Sequence, residues 1–246
     1  MKHSKLVPLI ILKKEKLSII QIAELIIDFY KSLTVADRSY NQVNIISEKE
    51  TLQPGIKVNE LNSVQLLAEE ILHQNIDDIR KIDKVEDPDI NFSREGVINI
   101  GLEVKIDEET LITLNYSFTS TLASIARVVV NELCFDTFEK ANFFLKTAEK
   151  SFSIDYSVIK ISDQAFNKVA RGYKAPLGWI TYFSNDYEIP IPDDLEGVEY
   201  QYTDKGKYLI LSRENITNDP EKLEGSKQKL LIIMEEIKAR VPEYSK

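Results

Sequence analysis

The sequence predicts an α+β fold: mainly antiparallel sheet with helices packed on one side. Two observations predict it. Strand-like segments follow one another directly, across residues 97–131 and again across 198–212, joined by short polar turns. Between those runs lie segments whose apolar residues recur three and four apart, the period of a helix with one buried face. A doubly wound parallel sheet would instead alternate strand and helix throughout.

The elements follow in order. Residues 6–13 read as a strand. Residues 17–33 read as a helix, with Ser18 and Gln21 forming a capping box and Ile22, Ile26, Phe29 and Leu33 on one face. Gln42 to Ser47 is a short strand, and Pro54-Gly55 marks a turn. Asn62 or Ser63 caps a helix over about 63–82, whose stripe is Val64, Leu67, Ala68, Ile71, Ile79 and Ile82. Glu69, Glu70, Gln74, Asp77 and Asp78 lie largely away from that stripe. Val97 to Lys105, Leu111 to Phe118 and Ile125 to Asn131 form a meander with Asp107-Glu108-Glu109 at its first turn. Asp136 and Glu139 open a helix over 137–151. Ile154 to Ile161 is a strand, 163–171 a short helix and Leu177 to Phe183 a strand. Residues 198–203 and 207–212 make a hairpin turning at Lys205-Gly206. The last helix starts at Asn218 or Asp219, with Pro220 at its first position and Leu223, Leu230, Met234 and Ile237 facing the core. No Gly/Ser- or Pro-rich linker divides the chain. One domain over 1–246 follows, and two similar lobes, 1–134 and 135–246, are the alternative organisation.

Composition narrows the function. The 246 residues contain 8 glycines and 8 prolines, few for a protein whose backbone must wrap a phosphate. The single cysteine, Cys134, forms no internal disulfide and suits a reducing cytosol, so a cytoplasmic location is expected. No apolar run of membrane-spanning length occurs. The net charge of −9 disfavours nucleic acid as a partner and favours a basic protein.

Catalytic and metal chemistry find little purchase. The histidines are His3 and His73 alone, with no zinc-ligand spacing to Cys134. Asp87-Pro88-Asp89-Ile90-Asn91 starts like a calcium loop, but Phe92 replaces the turn glycine and Ile98 the bidentate glutamate. Cys134 sits among Leu133 and Phe135, a setting that keeps a thiol inert. No nucleophile elbow, phosphate loop or dinucleotide fingerprint is present. No metal or cofactor is expected, and no enzymatic activity. Charge is distributed unevenly: Glu60 to Glu109 holds 14 acids against 5 bases. Glu69, Glu70, Asp77, Asp78, Asp107, Glu108 and Glu109 are therefore the candidate partner-binding residues. The bland reading of the same residues is a solvated surface. Tyr173, Trp179, Tyr182, Phe183 and Tyr187 cluster around the only tryptophan, as core or as interface anchors.

Pro176-Leu177-Gly178-Trp179-Ile180-Thr181-Tyr182-Phe183-Ser184 resembles the Gly-Trp-x-Thr-Tyr strand of the immunity protein 52 family. The segment lies between a helix-strand unit and a hairpin leading to a terminal helix, an order similar to that family's C-terminal half. Ala36-Asp37-Arg38-Ser39-Tyr40 resembles the segment after the family's first helix, although Asn41-Gln42-Val43 stand where a tryptophan often follows. Ile154 to Val158 departs from the family's Trp-Asp-Pro-like pattern. The resemblance implies an antidote protein of a bacterial polymorphic toxin system that occludes a cognate toxin, commonly a nuclease of restriction-endonuclease fold. Gly178 and Trp179 carry over as fold markers only. Two other functions stay open on the residues alone: a hydrolase with paired carboxylates, and a structural or small-ligand module with an apolar pocket near Trp179.

Overall fold

The computed structural model describes residues 6–13, 17–36, 44–46, 55–83, 98–105, 111–118, 124–129, 135, 137–217 and 219–246. They form an α+β fold in two compact units, each built from separated stretches of chain. One unit comprises Leu12–Val128 and Thr147–Ser153; the other comprises Met1–Ile11, Val129–Lys146 and Ile154–Lys246.

The first unit contains α1 (Ile19–Ala36), β2 (Asn44–Ile46), β3 (Ile56–Lys57), α2 (Ser63–Gln74), α3 (Ile76–Asp83), β4 (Ile98–Lys105), β5 (Leu111–Phe118) and β6 (Ser124–Val129). Its strands run in the order β3-β2-β4-β5-β6, so the expected meander is present as β4-β5-β6. The β2–β3, β2–β4 and β4–β5 pairings are antiparallel. Helix α1 starts where its capping box predicts. Ser18 N–H donates to Gln21 Oε1 at 2.9 Å, and Gln21 N–H donates back to Ser18 Oγ at 3.4 Å. Burial on α1 is wider than one stripe, because Ala23, Ile27 and Tyr30 are enclosed along with Ile22, Ile26, Phe29 and Leu33. Phe29 packs a tilted ring on Phe152 at 5.2 Å.

The continuous helix expected over 63–82 is two helices. The break falls at Asn75, which is 3% exposed and turns its Nδ2 back onto Ile71 O at 2.8 Å. Asparagine competes with the helical ladder by bonding nearby backbone, and here that bond ends α2 while Asn75 O accepts from Ile79 N–H to start the next turns.

The second unit holds β1 (Leu6–Leu12), most of α4 (Phe138–Ser151), β7 (Ile154–Ile161), α5 (Gln164–Ala170), β8 (Ile180–Ser184), β9 (Glu199–Tyr202), β10 (Gly206–Ile210) and α6 (Pro220–Arg240). Its strand order is β1-β7-β8-β10-β9. β7–β8, β8–β10 and β9–β10 are antiparallel, with Tyr156 opposite Phe183, Leu209 opposite Thr181 and Tyr208 opposite Gln201. All five residues of β8 are buried, so both faces of this strand are covered, and Trp179 precedes it as a lead-in. Asp136, the expected cap of α4, lies outside the described residues; Thr137 Oγ1 accepts from Lys140 N–H at 3.3 Å there. Asp163 caps α5 through Phe166 N–H at 2.7 Å. Asp219 caps α6 through Glu221 and Lys222 N–H at 2.9 and 3.3 Å, with Pro220 following as expected. α6 buries Leu230, Ile233, Met234 and Ile237, whereas Leu223 is only partly covered. The last residues fold back on 172–175: Lys174 N–H donates to Tyr244 O at 2.9 Å and Lys246 N–H to Gly172 O at 3.0 Å.

Candidate protein-binding surface

The Gly178-Trp179 pair is a packing joint in the second unit. Trp179 N–H donates to Ile159 O on β7 at 2.9 Å, and Trp179 O accepts from Leu211 N–H at 3.0 Å. The indole Nε1–H donates to Ser212 O at 2.8 Å, so the ring's only polar atom is satisfied while the side chain is fully buried. Phe138 meets the indole edge-on at 6.3 Å, and the Arg213 guanidinium lies 5.3 Å from the Phe138 centroid. Gly178 N–H donates to Thr181 Oγ1 at 3.0 Å. A Cβ at Gly178 would sit 2.5 Å from Val158 Cγ2 and 2.9 Å from Ile159 C, and closer still to Ile159 O. Glycine is required because two backbones touch there.

The tyrosines around this joint are also structural. Tyr156 donates to Pro176 O and Tyr244 to Ala175 O; Tyr173 donates to Glu235. Tyr156, Phe183 and Tyr187 form a triangle of rings, with Phe183–Tyr187 centroids 5.0 Å apart. Burial pushes the Tyr156, Tyr187 and Tyr244 phenols well up. Burial, helped by Glu235, pushes Tyr173 up to about 12.

The acidic residues singled out on α2 and α3 separate. Glu69 is exposed and accepts from Gln65 Nε2 at 3.1 Å. Glu70 is turned inward, 8% exposed, and accepts from Gln74 Nε2 at 2.8 Å. Asp77 is exposed and pairs with Arg80 one turn on, at 3.3 Å. Leu61, at the entry to α2, is fully exposed. The side chain of Asp78, and Asp107, Glu108 and Glu109 altogether, lie outside the described residues.

A second acidic surface borders β9, the terminal strand of its sheet order. Residues 186–204 hold seven acids and no lysine or arginine. A count by long windows hides it, because bases from other parts of the chain restore the balance; a window of about one loop length would have found it. The loop before β9 turns at Gly197, whose φ of 71° suits glycine. Tyr200 OH donates to Pro192 O at 3.1 Å and accepts from Leu195 N–H at 3.0 Å, which locks the loop to the strand. Tyr202, two residues on, stacks its ring near-parallel to Tyr200 at 6.4 Å and is 61% exposed. Asp193 pairs with Lys207, Asp194 with Arg240, and Glu199 with Arg213 through Nε at 2.8 Å. In the first two pairs the acid is the outer partner: Asp193 is 60% exposed against 19% for Lys207, and Asp194 74% against 41% for Arg240. Hydrogen bonding to Arg213 holds the Glu199 carboxyl below its ordinary pKa.

This surface can recognise, through an aromatic ledge, a row of carboxylates and the outward backbone of an edge strand. Among the described residues no group of three or more histidines, cysteines and acids is placed to hold a metal ion, and no helix is long and apolar enough to cross a membrane. No protein-family model and no curated protein matches the sequence. Among solved structures, the chain is similar to a T6SS protein of Pseudomonas aeruginosa, at 8% identity and a TM-score of 0.48, over 92% of this chain and 76% of that one. A likeness that distant says nothing of function.

Proposed function

We propose that this chain is an immunity protein that binds a cognate bacterial toxin, with a basic nuclease of restriction-endonuclease fold as the expected partner, and blocks access to its active site. The reading rests on the resemblance carried by Pro176 to Ser184 and the order of elements around it. Gly178 and Trp179 are the joint of a helix-strand unit, a buried strand and a hairpin that leads to a terminal helix. Its negative exterior supports a basic protein as partner and disfavours nucleic acid or an anionic membrane. The protein works in the cytoplasm, stoichiometrically and without transforming a substrate or using a cofactor. A tight complex of this kind buries about 1,200–2,000 Å² in total.

Co-expression with the toxin encoded beside it tests the proposal. The toxin alone should arrest growth, and this chain should restore growth and co-elute with the toxin at equal stoichiometry. Growth arrest that persists with both proteins soluble and separate overturns it.

A further inference from the structure

We infer that the outer edge of β9 takes up an extended, lysine- or arginine-bearing segment of a protein partner as an added strand; the immunity reading enters only in saying which partner supplies that segment. Backbone geometry comes first. Thr203 N–H donates to Gly206 O at 2.8 Å and Gly206 N–H to Thr203 Oγ1 at 3.1 Å, so Thr203 turns its backbone N–H inward across the hairpin. Antiparallel pairing alternates, and with Tyr202 opposite Lys207 and Tyr200 opposite Leu209, both tyrosines direct their backbone N–H and C=O away from β10. A terminal strand with outward donors and acceptors is a template for another strand unless something blunts it. Of the blunting devices, proline and lysine are absent from Glu199-Tyr200-Gln201-Tyr202, and only its shortness, at four residues, and the charge of Glu199 are present. Strand addition of this kind draws affinity from the backbone and specificity from alternate side chains.

The side chains select the occupant. Tyr202 projects an exposed ring, already held against Tyr200, whose hydroxyl is fixed by Pro192 and Leu195. Such a pre-ordered aromatic is suited to anchor an interface at low entropic cost. Asp193 and Asp194 lie near this pair of rings and face solvent, and Glu188 and Glu196 of the same loop are exposed. Lys207 and Arg240 pair with the first two and are less exposed than they are, so the carboxylates are the more accessible partners. A second copy of this chain would bring the same acids edge to edge, and like charges facing one another oppose that pairing. A cationic extended segment satisfies both the backbone and the charge.

Two probes test this on the full chain. The first is a peptide of alternating lysine and valine, about eight residues long, beside its glutamate-valine counterpart. The lysine peptide should slow amide exchange at Tyr200 and Tyr202 by about tenfold or more, and the glutamate peptide should not. The second is the neighbouring toxin, titrated against wild type, Tyr202→Phe and Tyr202→Pro. Tyr202→Pro deletes one outward N–H and the ring while sparing the bonds to β10, and should weaken binding at least about tenfold, whereas Tyr202→Phe stays close to wild type. No protection at Tyr200 and Tyr202 with the lysine peptide overturns the inference, and that result needs no variant to fold. Protection by the peptide with no toxin binding removes the immunity reading and leaves the strand-accepting edge standing. Toxin binding that Tyr202→Pro and the peptide both leave unchanged does the reverse.

Discussion

Gly178→Ala tests the backbone contact that fixes the Gly178-Trp179 joint in the second unit. The new methyl would lie below 3.0 Å from three atoms, two of them backbone atoms of Ile159 that cannot swing aside as a side chain would. Relief requires residues 178–179 and β7 to part. Overpacking of that kind costs about 1–3 kcal/mol. Parting also stretches the Trp179 N–H to Ile159 O bond, now 2.9 Å, and disturbs Gly178 N–H to Thr181 Oγ1, each worth about 1 kcal/mol. The expected loss is therefore about 3 kcal/mol or more. In urea, with an m value of about 3 kcal/mol/M, the midpoint falls by about 1 M. Trp179 is the only tryptophan, so its fluorescence follows this unit specifically. Gly225→Ala is the internal control. It lies in α6 with nothing within 4 Å of its would-be Cβ, and should stabilise by about 0.5–1 kcal/mol through helix propensity. A Gly178→Ala loss under about 1 kcal/mol, or equal signs for the two variants, would refute the reasoning.

Other expectations follow from the same contacts. Trp179→Phe removes the donor to part-buried Ser212 O and part of the ring against Phe138, and should cost roughly 2–3 kcal/mol by urea titration. Asp163 has its carboxyl pKa lowered, first by Phe166 N–H and then by Lys227, so its stabilisation is complete above the unfolded value near about pH 4 and is lost as pH falls through the lower folded value. Asp163→Asn keeps a capping acceptor and should flatten the stability profile in that acid range. Tyr173 is shifted the other way, up to about 12. Its contribution is complete below the unfolded value near about 10 and disappears as pH rises through the folded one. Glu235→Gln should bring part of the phenolate absorbance change to lower pH, and no change in that titration would discount the Tyr173–Glu235 bond.

Local chemistry in the sequence reaches a good part of this fold. Ser18 with Gln21 and Asp219 with Pro220 mark helix starts because the bonds involved span three residues or fewer. The turn before Gly206 and the three-strand meander are local in the same sense. Asn75 is less legible: an asparagine in an amphipathic pattern can face solvent or bond back onto Ile71, and only the packing of Ile71, Leu72 and Ile79 decides. Glu70 differs for a related reason. It borders the stripe of Leu67 and Ile71, where a few degrees of helix rotation choose between core and water. The place of β1 beside β7 depends on pairing across more than a hundred residues, for which no local pattern exists. The acidic rim of β9 was within reach of the sequence, but charge summed over long windows averages Asp193, Asp194 and Glu196 against distant lysines.

Residues 6–11 share a unit with residues 154–246, although the ribosome makes them first. The edge of β1 that pairs with β7 must therefore wait until β7 emerges. During that interval its Leu-Val-Pro-Leu-Ile-Ile-Leu run presents an open edge, and Pro8 interrupts what a nascent neighbour could zip onto. The second unit therefore matures only after both of its distant stretches have been synthesised.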